Sequence, residues 1–177
     1  MPVRLTTASY LVLGLVDMLG EASPYALKQA AADYVAPFWS LPHTQIYVQA
    51  DKLVESGLLR QDQETDGRRR RILTITEEGR EALNSWRADP TAVPVEARDL
   101  GLLKLFFGAD SKVIGPAQVE HHSQRLAGYE EMKAGGSRMP DGAAATLEFG
   151  IRYERALVAF WSTLLEVRKP RSPHKPD

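Results

Sequence analysis

Asp66-Gly67-Arg68-Arg69-Arg70-Arg71 sets a tight-turn dipeptide directly before four consecutive arginines. Upstream, Leu41 to Ser56 has helix-like spacing and stops at Gly57, which leads into the strand-like Leu58-Leu59-Arg60. Downstream, Ile72 to Ile75 reads as a second strand. Thr76 then stands as a helix cap before Glu77 and Glu78, acidic residues well placed at a helix N-terminus. Helix, glycine stop, strand, charged turn, strand and capped helix, in that order, predict a winged helix-turn-helix, and duplex DNA is the partner it implies. In an extended wing, side chains alternate faces, so Arg68 and Arg70 point opposite to Arg69 and Arg71. A wing along a groove can use both sets, one toward phosphate and one toward the minor groove. Taken alone, a charge run more often marks a solvated face. Four repelling charges do nothing to help a hairpin tip fold, however, and the surrounding order favours groove binding.

Composition narrows the classes. The 177 residues suit one ordinary domain, or a small domain with an appended element. With no cysteine, disulfides, thiolate chemistry and Cys-based zinc sites are excluded. The first residues lack the charged-then-apolar layout of a signal peptide. The apolar run Tyr10 to Leu19 contains Asp17 and is too short to span a bilayer. A cytoplasmic, soluble protein is expected. The net charge of −1 rules out a globally basic nucleic-acid binder. The basic residues are bunched instead, at Arg68 to Arg71 and in Arg168-Lys169-Pro170-Arg171, and a local stripe is enough to meet phosphate.

The expected organisation is mainly α with a small β-wing. A winged helix-turn-helix domain over 1–88 is followed by a proline-interrupted linker at 89–95. A helical dimerisation domain over 96–168 and a disordered tail over 169–177 complete the chain. Thr6 or Thr7 caps a first helix, Ala8 to Leu19, apolar on nearly every side and therefore central. Gly20-Glu21-Ala22 reads as a turn. Ser23-Pro24 opens a second helix to about Tyr34, with Leu27, Ala31 and Tyr34 or Val35 inward. The third helix turns Ile46, Ala50, Leu53 and Val54 inward, and a fourth runs from Glu77 to about Ala88. Three more are expected over Glu96–Phe107, about Gly115–Lys133 and about Gly142–Val167.

On such a fold the third helix presents its N-terminal polar residues to the major groove. These are His43, Thr44, Gln45, Tyr47 and, at the edge, Gln49. Gln can bridge adenine N6 and N7, Thr can touch the thymine methyl, and Tyr or His can reach phosphate. An ordinary amphipathic helix has the same pattern, so the helix gains its meaning from the wing beside it.

In the last helix Leu147, Ile151, Val158, Trp161 and Leu165 form one stripe, and Gly150, Tyr153, Leu157, Phe160 and Leu164 an adjacent one. Val119, His122, Leu126 and Tyr129 line up on the helix before it. Two adjoining stripes exceed what one neighbour shields. An intramolecular bundle is one explanation. A dimerisation arm is favoured, because such DNA readers use two half-sites related by two-fold symmetry. The expected dimer residues are Leu126, Tyr129, Ile151, Tyr153, Leu157, Val158, Trp161, Leu164 and Leu165.

Enzyme signatures are absent. His121 and His122 diverge by about 100° on a helix and cannot share a metal. No HExxH spacing, phosphate-binding glycine loop or G-x-S-x-G elbow occurs. No cofactor or metal is expected. The competing class is a protein-interaction module that uses the winged-helix fold and its helical arm without touching DNA.

Leu11-Val12-Leu13-Gly14-Leu15, Ser23-Pro24-Tyr25-Ala26-Leu27, Phe38-Trp39-Ser40, Gln45-Ile46-Tyr47, Leu53-Val54-Glu55-Ser56-Gly57-Leu58 and Leu73 to Arg80 resemble the PadR family of bacterial transcriptional regulators. Leu102 to Gly108 is similar to the longer members, whose extended helical domain resembles that of virulence-activator-type regulators. The resemblance implies a homodimer on an inverted-repeat operator. It also implies a repressor, released by a small molecule such as a phenolic acid or planar aromatic drug. By position it implies helix contacts at Tyr25, His43, Thr44, Gln45 and Tyr47, and wing contacts at Arg68, Arg69 and Arg70. Two positions depart from the family pattern. Val48 stands where a proline is common, and the wing tip is all arginine. An aromatic effector would lodge between the domains near Trp39, Trp86, Phe106 or Trp161, although core packing is the favoured single role for each of these aromatics.

Overall fold

Thr6 starts the first helix, α1 (Thr7–Leu19), by accepting the Ser9 N–H while the Ser9 hydroxyl returns to the Thr6 backbone, a reciprocal capping box. The computed structural model describes residues 4–36, 38–39, 41–63, 71–93, 98–135 and 140–166. The Asp66-Gly67 turn, Arg68 to Arg70, part of the 89–95 linker, the expected helix start at Glu96 and the 169–177 tail lie outside the described residues. The chain divides into two compact units, Met1–Val93 and Pro94–Asp177.

In the first unit α1 ends at Gly20, whose φ of 77° suits glycine. Glu21 and Ala22, expected as part of a turn, instead form a short strand, β1 (Glu21–Ala22), paired antiparallel with Leu73 and Thr74. Ser23 caps α2 (Pro24–Ala30) by accepting the Ala26 N–H at 3.1 Å. The expected straight run to Tyr34 widens at Ala31–Val35 into a π turn, closed by Ala36 N–H to Ala31 C=O at 2.8 Å. That widening leaves Val35 half-buried and Tyr34 exposed.

The third helix, α3 (His43–Glu55), stops in a Schellman turn. Leu58 N–H bonds to Leu53 C=O and Gly57 N–H to Val54 C=O, with Gly57 at φ 75°. The chain then runs through β2 (Leu59–Gln63) and returns as β3 (Arg71–Ile75), with Leu59 opposite Ile75 and Gln63 opposite Arg71. The sheet order is β1-β3-β2. Thr76 caps α4 (Glu77–Arg87), accepting the Gly79 N–H at 3.1 Å and donating to the Gly57 carbonyl at 2.8 Å. Gly79 is required here, because a Cβ would lie 2.1 Å from the Leu58 carbonyl oxygen. Val12, Leu13, Val16, Leu27, Ile46, Leu53, Leu73 and Leu83 close the core, each large aliphatic worth about 1.5–3 kcal/mol of burial. Asp17 ties α1 to α4 by accepting from Arg80 and, at 3.0 Å, from Arg87.

The second unit is helical: α5 (Leu100–Phe106), α6 (Ser111–Ala134) and α7 (Asp141–Glu166). Asp99 and Asp110 cap α5 and α6. The two long helices pack closely where glycines allow it. Gly115 lies under Leu165 and Gly150 under the Tyr129 ring, where a Cβ would come within 2.8 and 3.1 Å of those side chains. Among the described residues, no helix is long and apolar enough to cross a membrane.

Candidate nucleic-acid interface

Successive residues of α3 are turned by about 100°, which sorts its side chains into two arcs. Ile46, Gln49, Ala50 and Leu53 are buried. Thr44, Val48 and Asp51 run along the middle of the opposite arc, flanked by His43 and Tyr47 on one side and by Gln45 and Lys52 on the other, all exposed. The expected reading residues His43, Thr44, Gln45 and Tyr47 therefore share the solvent face of the first two turns. Tyr25, in the first turn of α2, is 65 % exposed. Pro42 occupies the N-cap of α3 without a side-chain cap. The opening N–H groups of such a helix favour an anion.

Two sequence expectations need correction. Gln49 does not face outward. It is 7 % exposed, and its Oε1 accepts from the Ser9 hydroxyl at 2.8 Å. Val54, expected inward, is only half-buried, while Gln49 fills the arc. Val48, exposed at the centre of the outer face, went unmarked as a contact although it can meet a thymine methyl.

The hairpin supplies the charge. Gln63 and Arg71 are the last pair of the β2–β3 ladder, so Arg68, Arg69 and Arg70, outside the described residues, belong to the connection between them. Arg71, the one arginine of the run among the described residues, has a partner within the fold. Its guanidinium donates to Asp51 and joins the base of the hairpin to α3. Asp51 and Glu55 add acidic side chains to the later turns of the outer face, with Asp51 paired to Arg71 and Lys52 beside it.

In the second unit the proposed dimer residues separate. Ile151 is buried and Trp161 is fully so. Both were expected to face a partner and instead belong to the interior, because that stripe of α7 turns inward. Leu126, Tyr129, Leu157, Val158, Leu164 and Leu165 are half-buried, and Tyr153 is exposed. Phe149, 65 % exposed and not anticipated, stacks on Tyr153 with ring centroids 6.2 Å apart. Of the effector candidates, Trp39 and Phe106 are exposed. Trp86 is also exposed and lies parallel to Tyr10, centroids 5.0 Å apart. Trp161 is closed to any ligand that needs its ring.

A buried charge in the same unit also escaped sequence reasoning. Glu154, 2 % exposed, accepts from Arg125 Nε at 2.6 Å and pairs with His122 Nδ1 at 2.6 Å. Arg125 also donates to Tyr129 Oη at 2.8 Å. The hydrogen bond that Arg125 donates to Glu154 holds its guanidinium above its ordinary range, and burial raises the Tyr129 phenol. The available signal was Glu154 itself, a carboxylate set between Ile151 and Val158 on an apolar stripe. His121 is exposed and His122 buried, and no metal-holding cluster occurs among the described residues.

Residues 12–85 match the model of the "Transcriptional regulator PadR-like family". A curated protein of Bacillus subtilis (strain 168), the negative transcriptional regulator PadR, is 29 % identical over 100 residues, covering 55 % of this chain. The match spans about half of that relative's length, 54 %. Bacillus subtilis PadR in complex with operator DNA superposes with a TM-score of 0.81 at 22 % identity, covering 90 % of this chain and 98 % of that one. The same protein in complex with p-coumaric acid gives 0.74 at 22 % identity, covering 92 % and 97 %. These likenesses show that the chain shares the fold of Bacillus subtilis PadR.

Proposed function

We propose that the chain, whose residues 12–85 match the PadR-like transcriptional-regulator model, is a dimeric, sequence-reading DNA-binding repressor. The observation that carries the reading is the outer face of α3, where His43, Thr44, Gln45, Tyr47 and Val48 stand exposed above a buried apolar stripe. Each protomer lays the first two turns of α3 in a major groove, while Arg68, Arg69 and Arg70 engage the neighbouring backbone. The arginines act as an electrostatic clamp, and the α3 side chains read bases. Net charge does not oppose this arrangement, because the acidic residues of α3 lie beyond its groove-facing turns.

The second unit serves as the dimerisation domain, and two-fold symmetry matches the protein to an inverted repeat. Exposed Tyr153, Phe160 and Phe149 on α7 support that role. Release by a small aromatic acid is proposed by analogy with the relative that binds p-coumaric acid. Trp39 and Trp86 in the first unit, and Phe106 in the second, are each exposed and each a candidate to stack on such a ligand. The site of action is the cytoplasm, where operator DNA lies.

The test is selection of bound duplexes from a randomised library, followed by fluorescence anisotropy on the selected site and a scrambled control. The wild-type chain is expected to prefer the selected site by about 10³-fold or more. Gln45→Ala should lose about tenfold or more of that preference with little change on the scrambled duplex. Equal affinity for both duplexes in the wild type would leave a protein-interaction role for the same fold.

A further inference from the structure

We infer that the buried Ser9–Gln49 hydrogen bond is a rotational pin that sets which side chains of α3 face the bases, making both residues positioning residues for sequence readout; this rests on the DNA-reading function proposed above. Ser9 is 4 % exposed and lies on α1, on the far side of the buried face of α3 from any groove. Its hydroxyl is fully committed. The single proton goes to Gln49 Oε1 at 2.8 Å, and the oxygen accepts from Thr6 N–H at 3.1 Å. The Thr6 hydroxyl, 3.1 Å away, is then the donor of its pair. Gln49 is thereby wired into the capping box that fixes the start of α1.

The other buried residues of α3 cannot supply this precision. Ile46, Ala50 and Leu53 make non-directional contacts, and Ala50 offers little side chain to resist turning. A hydrogen bond is directional and tolerates only a few tenths of an ångström. A rotation of about 20° moves a side-chain tip roughly 5–6 Å from the helix axis by about 2 Å, enough to break a bidentate base contact. Gln49 lies one turn after Gln45 on the same edge of the helix, so the pin sits directly behind a proposed reading residue. For folding alone, an apolar residue at 49 opposite an alanine at 9 would leave the packing of α3 on α1 close to neutral, and the cost would be the capping-box bond that Ser9 also makes with Thr6.

The experiment uses the full chain and the site selected by the wild-type protein. The Ser9→Ala/Gln49→Leu double variant removes both polar groups. The single Ser9→Ala variant is the smallest change and keeps the experiment decisive if the double variant folds poorly. The expected result is a fall of about tenfold in the ratio of selected-site to scrambled-duplex affinity. Affinity for the scrambled duplex and its salt dependence should stay unchanged, and the double variant should melt below the wild type only by the loss of the Thr6–Ser9 capping-box bond. An undiminished ratio in either folded variant would overturn the pin while leaving the regulator reading intact. A wild-type chain without any preference would remove the regulator reading itself, and the pin with it.

Discussion

Each unit buries one polar system among apolar neighbours, and the two are built differently. In the first unit a single neutral bond, Ser9 to Gln49, lies inside a closed aliphatic core drawn from α1, α2, α3, the sheet and α4. In the second, a carboxylate is buried between two helices, held by His122 and Arg125. Both units leave large apolar side chains outside, Tyr25 at 65 % and Phe38 at 57 % in the first, Phe106 at 82 % and Phe149 at 65 % in the second. The first unit joins two helices by a neutral bond within an aliphatic core, although the Thr74 hydroxyl and Arg71 Nε are buried without a hydrogen-bond partner among the described residues. The second joins its two long helices by charge as well as by apolar contact.

The sharpest way to break that contrast is Glu154→Ala. It removes the acceptor from His122 and Arg125 and should cost about 3 kcal/mol in urea unfolding at fixed protein concentration. The low end of the range applies because the Arg125 side chain keeps 38 % of its surface in water. A loss below about 1 kcal/mol would mean that apolar packing, rather than the charge cluster, holds α6 to α7. A smaller effect sharpens the comparison through pH. Hydrogen bonds from Lys133 and Arg152 hold the Glu148 carboxyl below its ordinary range. Its contribution is therefore present above the ordinary carboxylate range and lost as pH falls through the lowered value. Acid melting of Glu148→Gln should match that of the wild type at the bottom of this range and fall slightly below it near neutrality. No difference at neutral pH would remove Glu148 from the helix pairing.

Most of the first unit was legible because its signals are local. Ser23-Pro24, the Gly57 stop and the Thr76 cap each act within a few residues, and each stands where the sequence placed it. The two-residue β1 was not legible, since it exists only through pairing with residues some fifty positions later. Gln49 was missed for a related reason. A polar residue at the edge of the buried arc looks solvent-facing until its partner on α1 is known. In the second unit the three helices were legible from apolar spacing, but which α7 stripe turns inward was not. Periodicity marks two adjacent stripes and cannot say that Trp161 is covered while Phe160 is not. The arginine run was the strongest sequence signal, and Arg71 proved separable from it by its bond to Asp51.

The central claim is that the first unit binds duplex DNA through α3 with the arginine hairpin as clamp. The most direct test is the slope of log affinity against log salt for the full chain on duplex DNA. A steep negative slope is predicted, reduced by about one unit in each of Arg69→Ala and Arg70→Ala. A wild-type slope near zero, or slopes unchanged in both variants, would contradict it.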